Sequence, residues 1–139
     1  MPRRTFLDTN VLIAAHRGDA QQKGPALKLL LDADRFFIAS PFLELELLPK
    51  AIFYKSTAEI EFYKDYLDHV RFWISDTATT VRIANEEAAR VGLNAMDALL
   101  LAGAFLGAAE EFYTLESPDK PIHRTNLVRV IHLQPEPAL

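Results

Sequence analysis

The sequence contains no cysteine, which excludes disulfide staples, thiolate zinc sites and a cysteine nucleophile before any motif is weighed. Chemistry must come from oxygen or imidazole groups. No apolar run approaches the roughly 20 residues a membrane helix needs, and Arg3-Arg4 lead straight into Phe6-Leu7 without a signal-peptide pattern. Both absences predict a soluble cytoplasmic protein with no membrane partner. Positive charge is not in excess: the formal net charge of -4 argues against a general nucleic-acid coat protein, which spreads Lys and Arg over a whole face, and leaves room for a local basic rim. There is no internal repeat. What is present is a chain of 139 residues, half of them hydrophobic, enough to bury one core. Residues 1–133 are expected to form a single domain, and 134–139 a Pro-rich C-terminal tail.

Hydrophobic periodicity predicts alternating strands and helices. Thr5 to Thr9 is short, apolar and β-prone, and a helical run begins at Asn10, which places Asp8 at the C-terminal end of a buried strand. Leu27, Leu30 and Leu31 recur at helical spacing, and Phe36-Phe37-Ile38 forms a second strand. Ser40 is a suitable N-cap and Pro41 a suitable first helical residue for a helix running to about Phe53. Ser56 and Glu59 match a capping box for a helix carrying Ile60, Tyr63, Tyr66, Leu67, Val70 and Trp73. A further helix spans Thr79 to Val91, with Gly92 placed to end it. Asn94 then opens a nearly all-apolar helix from Ala98 to Ala109, of the kind that is buried. Phe112 to Thr114 and Leu127 to Leu133 are the last strands. Strands separated by helices favour a parallel sheet covered on both faces, an α/β fold.

Three acids stand out, each with two readings. Ligands of open α/β sheets bind beyond the C-terminal strand ends, where Asp8 falls, yet Asp8-Thr9-Asn10 also reads as a helix cap. In the helix after Pro41, a rotation of 100° per residue sets Glu46 beside Phe42, Pro49 and Phe53, and Glu44 away from them. An acid at the edge of a buried face needs a partner or a cation, so Glu46 is the better candidate. Asp97 opens the most hydrophobic helix, where it serves as a first-turn capping acid with Asn94, as a metal ligand, or as both.

Phe6-Leu7-Asp8-Thr9-Asn10-Val11-Leu12-Ile13 resembles the opening of the PIN-domain nucleases. Ser40 through Glu46-Leu47 resembles the segment carrying that family's second acid, and Asn94-Ala95-Met96-Asp97-Ala98-Leu99-Leu100-Leu101-Ala102 the segment carrying its third. Tyr113-Thr114-Leu115-Glu116 is similar to its final strand, although Glu116 stands where an aspartate is usual and Asp119 is a rival. The resemblance covers almost the whole chain and extends to the VapC-type toxin ribonucleases. It implies a PIN-like three-layer α/β/α fold with a central parallel sheet flanked by helices, a Mg2+ or Mn2+ site and endonucleolytic hydrolysis of RNA. It also implies a cognate antitoxin protein, as in type II toxin-antitoxin pairs, and a homodimer.

The residue types suit that chemistry. Two carboxylates about 5 Å apart repel by roughly 3 kcal/mol at an effective dielectric near 20, so converging acids call for a cation. Oxygen-only ligands select Mg2+ or Mn2+ over zinc. The resemblance makes Asp8 and Asp97 principal metal ligands, Glu46 a ligand or water-orienting base, and Glu116 a catalytic support. Thr9, Asn10 and Thr114 become their hydrogen-bonding neighbours. Lys50, Lys55, Arg82, Lys120 and Arg124 are the candidates for holding substrate phosphate. His16, His69, His123 and His132 show no ligand spacing, and the aromatic run from Phe62 to Trp73 reads as core or protein interface. The rival within the same fold is a non-catalytic module that binds RNA or protein, its acids serving as caps and boundary charges.

Overall fold

A computed structural model of the chain describes residues 2–137; Ala138 and Leu139, the end of the expected tail, lie outside the described residues. Five parallel strands form one sheet in the order β3-β2-β1-β4-β5: β1 (Arg3–Leu7), β2 (Arg35–Ala39), β3 (Phe72–Trp73), β4 (Glu111–Thr114) and β5 (Val130–His132). Among the described residues the α-helices are α1 (Thr9–Arg17), α2 (Ala20–Leu30), α3 (Pro41–Phe53), α4 (Thr57–Asp68), α5 (Thr77–Val91) and α6 (Ala95–Leu106). This is the expected three-layer arrangement. Strands β1, β2 and β3 march in one direction, and the chain then crosses back to place β4 on the other side of β1. Right-handed crossovers therefore put α1 to α4 on one face and α5 with α6 on the other. The contacts agree: α1 packs on α2, α3 and α4, whereas α6 packs chiefly on α5 and also meets β2 and α3.

Burial explains the order of layers. β1 and β4 are central, and Phe6 stacks on Phe112 between them at 5.5 Å. Helix α6 buries Ala98 and Leu100 to Ala104. It approaches the sheet so closely that a Cβ on Gly107 would sit 2.7 Å from Ile38 Cγ2. Gly92 ends α5 in the left-handed region at φ 81°, a conformation that favours glycine.

Several local expectations are corrected. Trp73 is not helical: α4 stops at Asp68, and Phe72–Trp73 pairs with β2 as a short edge strand, so sheet pairing overrides the helical spacing. Neither half of the expected capping box forms: Ser56 makes no side-chain capping bond, and the Glu59 carboxylate accepts from the Tyr63 hydroxyl at 2.6 Å. Ser40 likewise occupies the N-cap of α3 without a side-chain bond; its hydroxyl is buried and unpartnered. The capping pair of α6 does form, with Asn94 Oδ1 accepting from the Asp97 N–H at 2.8 Å. Helix α5 starts at Thr77, capped by Asp76 rather than beginning at Thr79. A 3₁₀ turn at Pro121–Arg124 went unanticipated. From the tail, the Glu136 N–H donates to the Gln21 carbonyl of α2 at 2.9 Å.

Candidate active site

The connection leaving β1 runs over one face of the sheet and that leaving β4 over the other, so a crevice opens between their C-terminal ends. Asp8 and Thr114 stand there. Asp8 is the N-cap of α1, only 5% exposed, and accepts from the Thr9 N–H at 2.8 Å and the Thr114 hydroxyl at 2.7 Å. The Thr114 hydroxyl oxygen accepts in turn from the Asn10 side-chain amide at 3.3 Å and the Glu116 N–H at 3.1 Å. Asn10 Oδ1 receives the Leu115 N–H at 3.1 Å. On the opposite side the Thr9 hydroxyl donates to Glu46 Oε1. Thr9, Asn10 and Thr114 thus hold Asp8, Glu46 and the segment after β4 in one network.

Four carboxylates come within electrostatic reach. Burial pushes the Asp8 carboxyl up to about 7, with the charges of Asp97 and Glu46 adding to the rise and the bonds from Thr114 and Thr9 opposing it. Asp97 is half-buried at the start of α6; burial first, then the charges of Glu116 and Glu46, raises its pKa, and Asn94 opposes. Glu116 is therefore near enough for its charge to act on Asp97. Asp119 is exposed and bonded to Ser117 in the following turn. Among the described residues no three Asp, Glu or His side chains meet closely enough to hold one ion directly. The donor set is all oxygen and negatively charged, the chemistry that a hard divalent ion takes.

Glu46 joins this network for a reason the helical wheel did not supply. The buried stripe of α3 is Leu43, Leu47, Leu48 and Ala51, while Pro49 and Phe53 are exposed, and so is Glu46. Its place beside the site comes from α1 packing against α3, which delivers the Thr9 hydroxyl.

The cations fall in three places. Lys50 shares a pocket with Glu46. Arg82 lies on the outer face of α5 with its guanidinium 3.5 Å from Glu86. Lys120 and Arg124 are exposed at the two ends of the 3₁₀ turn. Arg17, passed over in the sequence, lines the same pocket as Glu46 and Lys50. Its signal was available, since it stands seven residues after Asn10 and so on the same face of α1.

The PIN domain family model matches residues 5–118, from the first residues of β1 to just beyond β4. The chain belongs to the PIN domain family. Its fold is similar to a chain of VapBC2 from Rickettsia felis, crystallised with a DNA fragment from their promoter. That likeness has a TM-score of 0.70 at 16% identity and covers 93% of this chain and 98% of that one. It is also similar to a chain of a toxin-antitoxin complex from Klebsiella pneumoniae, with a TM-score of 0.65 at 21% identity, over 89% of this chain and 94% of that one. No curated protein sequence matches. Among the described residues no helix of this PIN domain is long and apolar enough to cross a membrane.

Proposed function

We propose that this PIN domain is a Mg2+- or Mn2+-dependent endoribonuclease of the VapC type, the toxin of a type II toxin-antitoxin pair that works in the cytoplasm. The observation that carries the reading is the junction of Asp8, Glu46, Asp97 and Glu116, drawn from four separate elements to the C-terminal end of β1. Membership of the PIN family supports it. Structural neighbours described as a VapBC2 assembly and as a toxin-antitoxin complex point to an antitoxin partner. A homodimer is the expected assembly.

In this reading Asp8 and Asp97 hold the ion, Glu46 holds it or orients the attacking water, and Glu116 supports Asp97. A bound divalent ion polarises the phosphate and lowers the pKa of water. Asp8 is suited to its task because its two oxygens are fixed by the Thr9 N–H and the Thr114 hydroxyl, so the carboxylate need not reorganise. The raised Asp8 pKa fits the same reading: burial first, and the charges of Asp97 and Glu46 after it, destabilise a carboxylate that a cation would compensate. Lys50, which shares a pocket with Glu46, and Lys120, Arg124 and Arg82 are the cations expected to serve RNA phosphates.

Cleavage of mixed single-stranded and structured RNAs in EDTA, Mg2+ or Mn2+ tests the proposal on the native chain, Asp8→Asn and Asp97→Asn. The expected result is cutting that requires metal and drops by at least about 10²-fold in both variants. Equal RNA cutting in EDTA, or in both variants, would overturn the assignment.

A further inference from the structure

The faces that carry the acid cluster continue along two helices. On α1, Asn10, Ile13 and Arg17 recur at intervals of three and four residues, and on α3 Lys50 stands one turn beyond Glu46, about 6 Å further along the axis. Because α1 packs against α3, these rows meet on the walls of a pocket of about 230 Å³ that includes Arg17, Glu46, Lys50, Tyr54 and Ser56. Arg17 and Ile13 also line a neighbouring depression with Asn10 and Leu115. The two hollows therefore run from the Thr114 side of the crevice, past Arg17, to the C-terminal end of α3.

The three carboxylates lining these hollows, Asp19, Glu46 and Glu59, each accept hydrogen bonds within the fold, while the cations keep unused donors. Glu59 is buried, accepts from Tyr63, and forms an ion pair with Arg17 at 3.8 Å from Nε, without a hydrogen bond. Glu46 accepts from Thr9. The Arg17 side chain is 60% exposed, and among the described residues neither it nor Lys50 makes a side-chain hydrogen bond. Tyr54 is 66% exposed and held against Phe53 in a T-shaped contact at 5.1 Å. Ser56 adds a hydroxyl free of any capping bond.

Resting on the nuclease reading, we propose that this groove seats the RNA strand next to the scissile phosphate. Arg17 and Lys50 contact backbone phosphates, and Tyr54 stacks on an unpaired base. Two cations beside an exposed aromatic ring match how single strands are held, by charge along the backbone and by stacking that any base can make. A duplex keeps its bases stacked on each other and offers Tyr54 none.

The test is binding of a fluorescent single-stranded RNA, and of its duplex, to an Asp97→Asn background that prevents cleavage, over a series of salt concentrations. Arg17→Ala and Lys50→Ala are each expected to weaken binding several-fold and to reduce the slope of log K against log salt by roughly 0.7. Tyr54→Ala is expected to weaken single-strand binding roughly tenfold with the slope unchanged, Tyr54→Phe to restore it, and duplex binding to be indifferent to either. Lys28→Ala, on exposed α2, controls for general charge. Native affinity and slope in all three alanine variants would overturn the groove, as expected if a protein segment occupies it, while leaving metal-dependent cleavage by the native chain intact. Absence of both RNA binding and cleavage in the native chain would overturn the nuclease reading and this proposal together.

Discussion

The Thr114 hydroxyl donates to Asp8 Oδ2 at 2.7 Å, linking the end of β4 to the residue that follows β1. Because that hydroxyl also accepts from Asn10 and Glu116, its removal strands one buried acceptor and two donors. Thr114→Val keeps the shape and is expected to cost about 2–3 kcal/mol, read by urea denaturation. It should also raise the Asp8 pKa further, because the lost bond favoured the carboxylate. Thr114→Ser should recover most of both effects. Native stability in Thr114→Val would show that the bond contributes nothing.

Asp8 makes the metal-free fold sensitive to pH in a direction opposite to that of a salt-bridged carboxylate. Its pKa rises from an ordinary 3.8 to about 7 on folding, chiefly through burial. The folded state therefore holds the proton to higher pH than the unfolded chain, so this contribution is fully present below about pH 4 and is lost as pH climbs to 7. The full span corresponds to about 4 kcal/mol as an upper limit. Denaturation of the metal-free protein between pH 4 and 8 should show that decline. Asp8→Asn, which retains a capping side chain, should flatten the decline and be more stable than the native chain at pH 8. A native profile that is flat or rises across this window would refute the burial argument.

Glu111 offers the contrast of a buried acid with a structural role. Only 2% exposed at the start of β4, it accepts from Arg35 Nε and the Thr5 hydroxyl, each at 2.8 Å, at the opposite end of the strands from Asp8. Glu111→Ala removes one of the two carboxylate partners of the Arg35 guanidinium, leaving Asp32, and should cost about 1.5–3 kcal/mol. Thermal melting reads that loss, and RNA cleavage per folded molecule should stay at the native level. Loss of cleavage in a variant that remains folded would assign Glu111 a part in the chemistry.

Much of the architecture was legible in the sequence because local signals agreed. Phe6-Leu7-Asp8 followed by a helical run fixed a central strand with an acid at its end, and Pro41, Gly92 and Asn94 marked real helix boundaries. The apolar helix after Asn94 had to be buried, and it is. Trp73 escaped this logic, since a two-residue strand owes its existence to the neighbouring edge of β2. Ser40 and Ser56 are capping residues by type, yet their hydroxyls make no capping bond.

The sequence by itself determined which residues could do the chemistry: a cysteine-free chain with acids at the ends of apolar segments, threonines beside them, and a parallel α/β pattern. Only the tertiary structure decided which of them meet. The α1–α3 packing carries exposed Glu46 to Thr9, the pairing of β1 with β4 brings Thr114 to Asp8, and the turn after β4 leaves the Glu116 charge within reach of Asp97 while Asp119 bonds Ser117. The reason is physical. Periodicity tells which face of a segment avoids water, but hydrogen bonds and charge repulsion across 37 or 106 residues depend on how the faces are stacked.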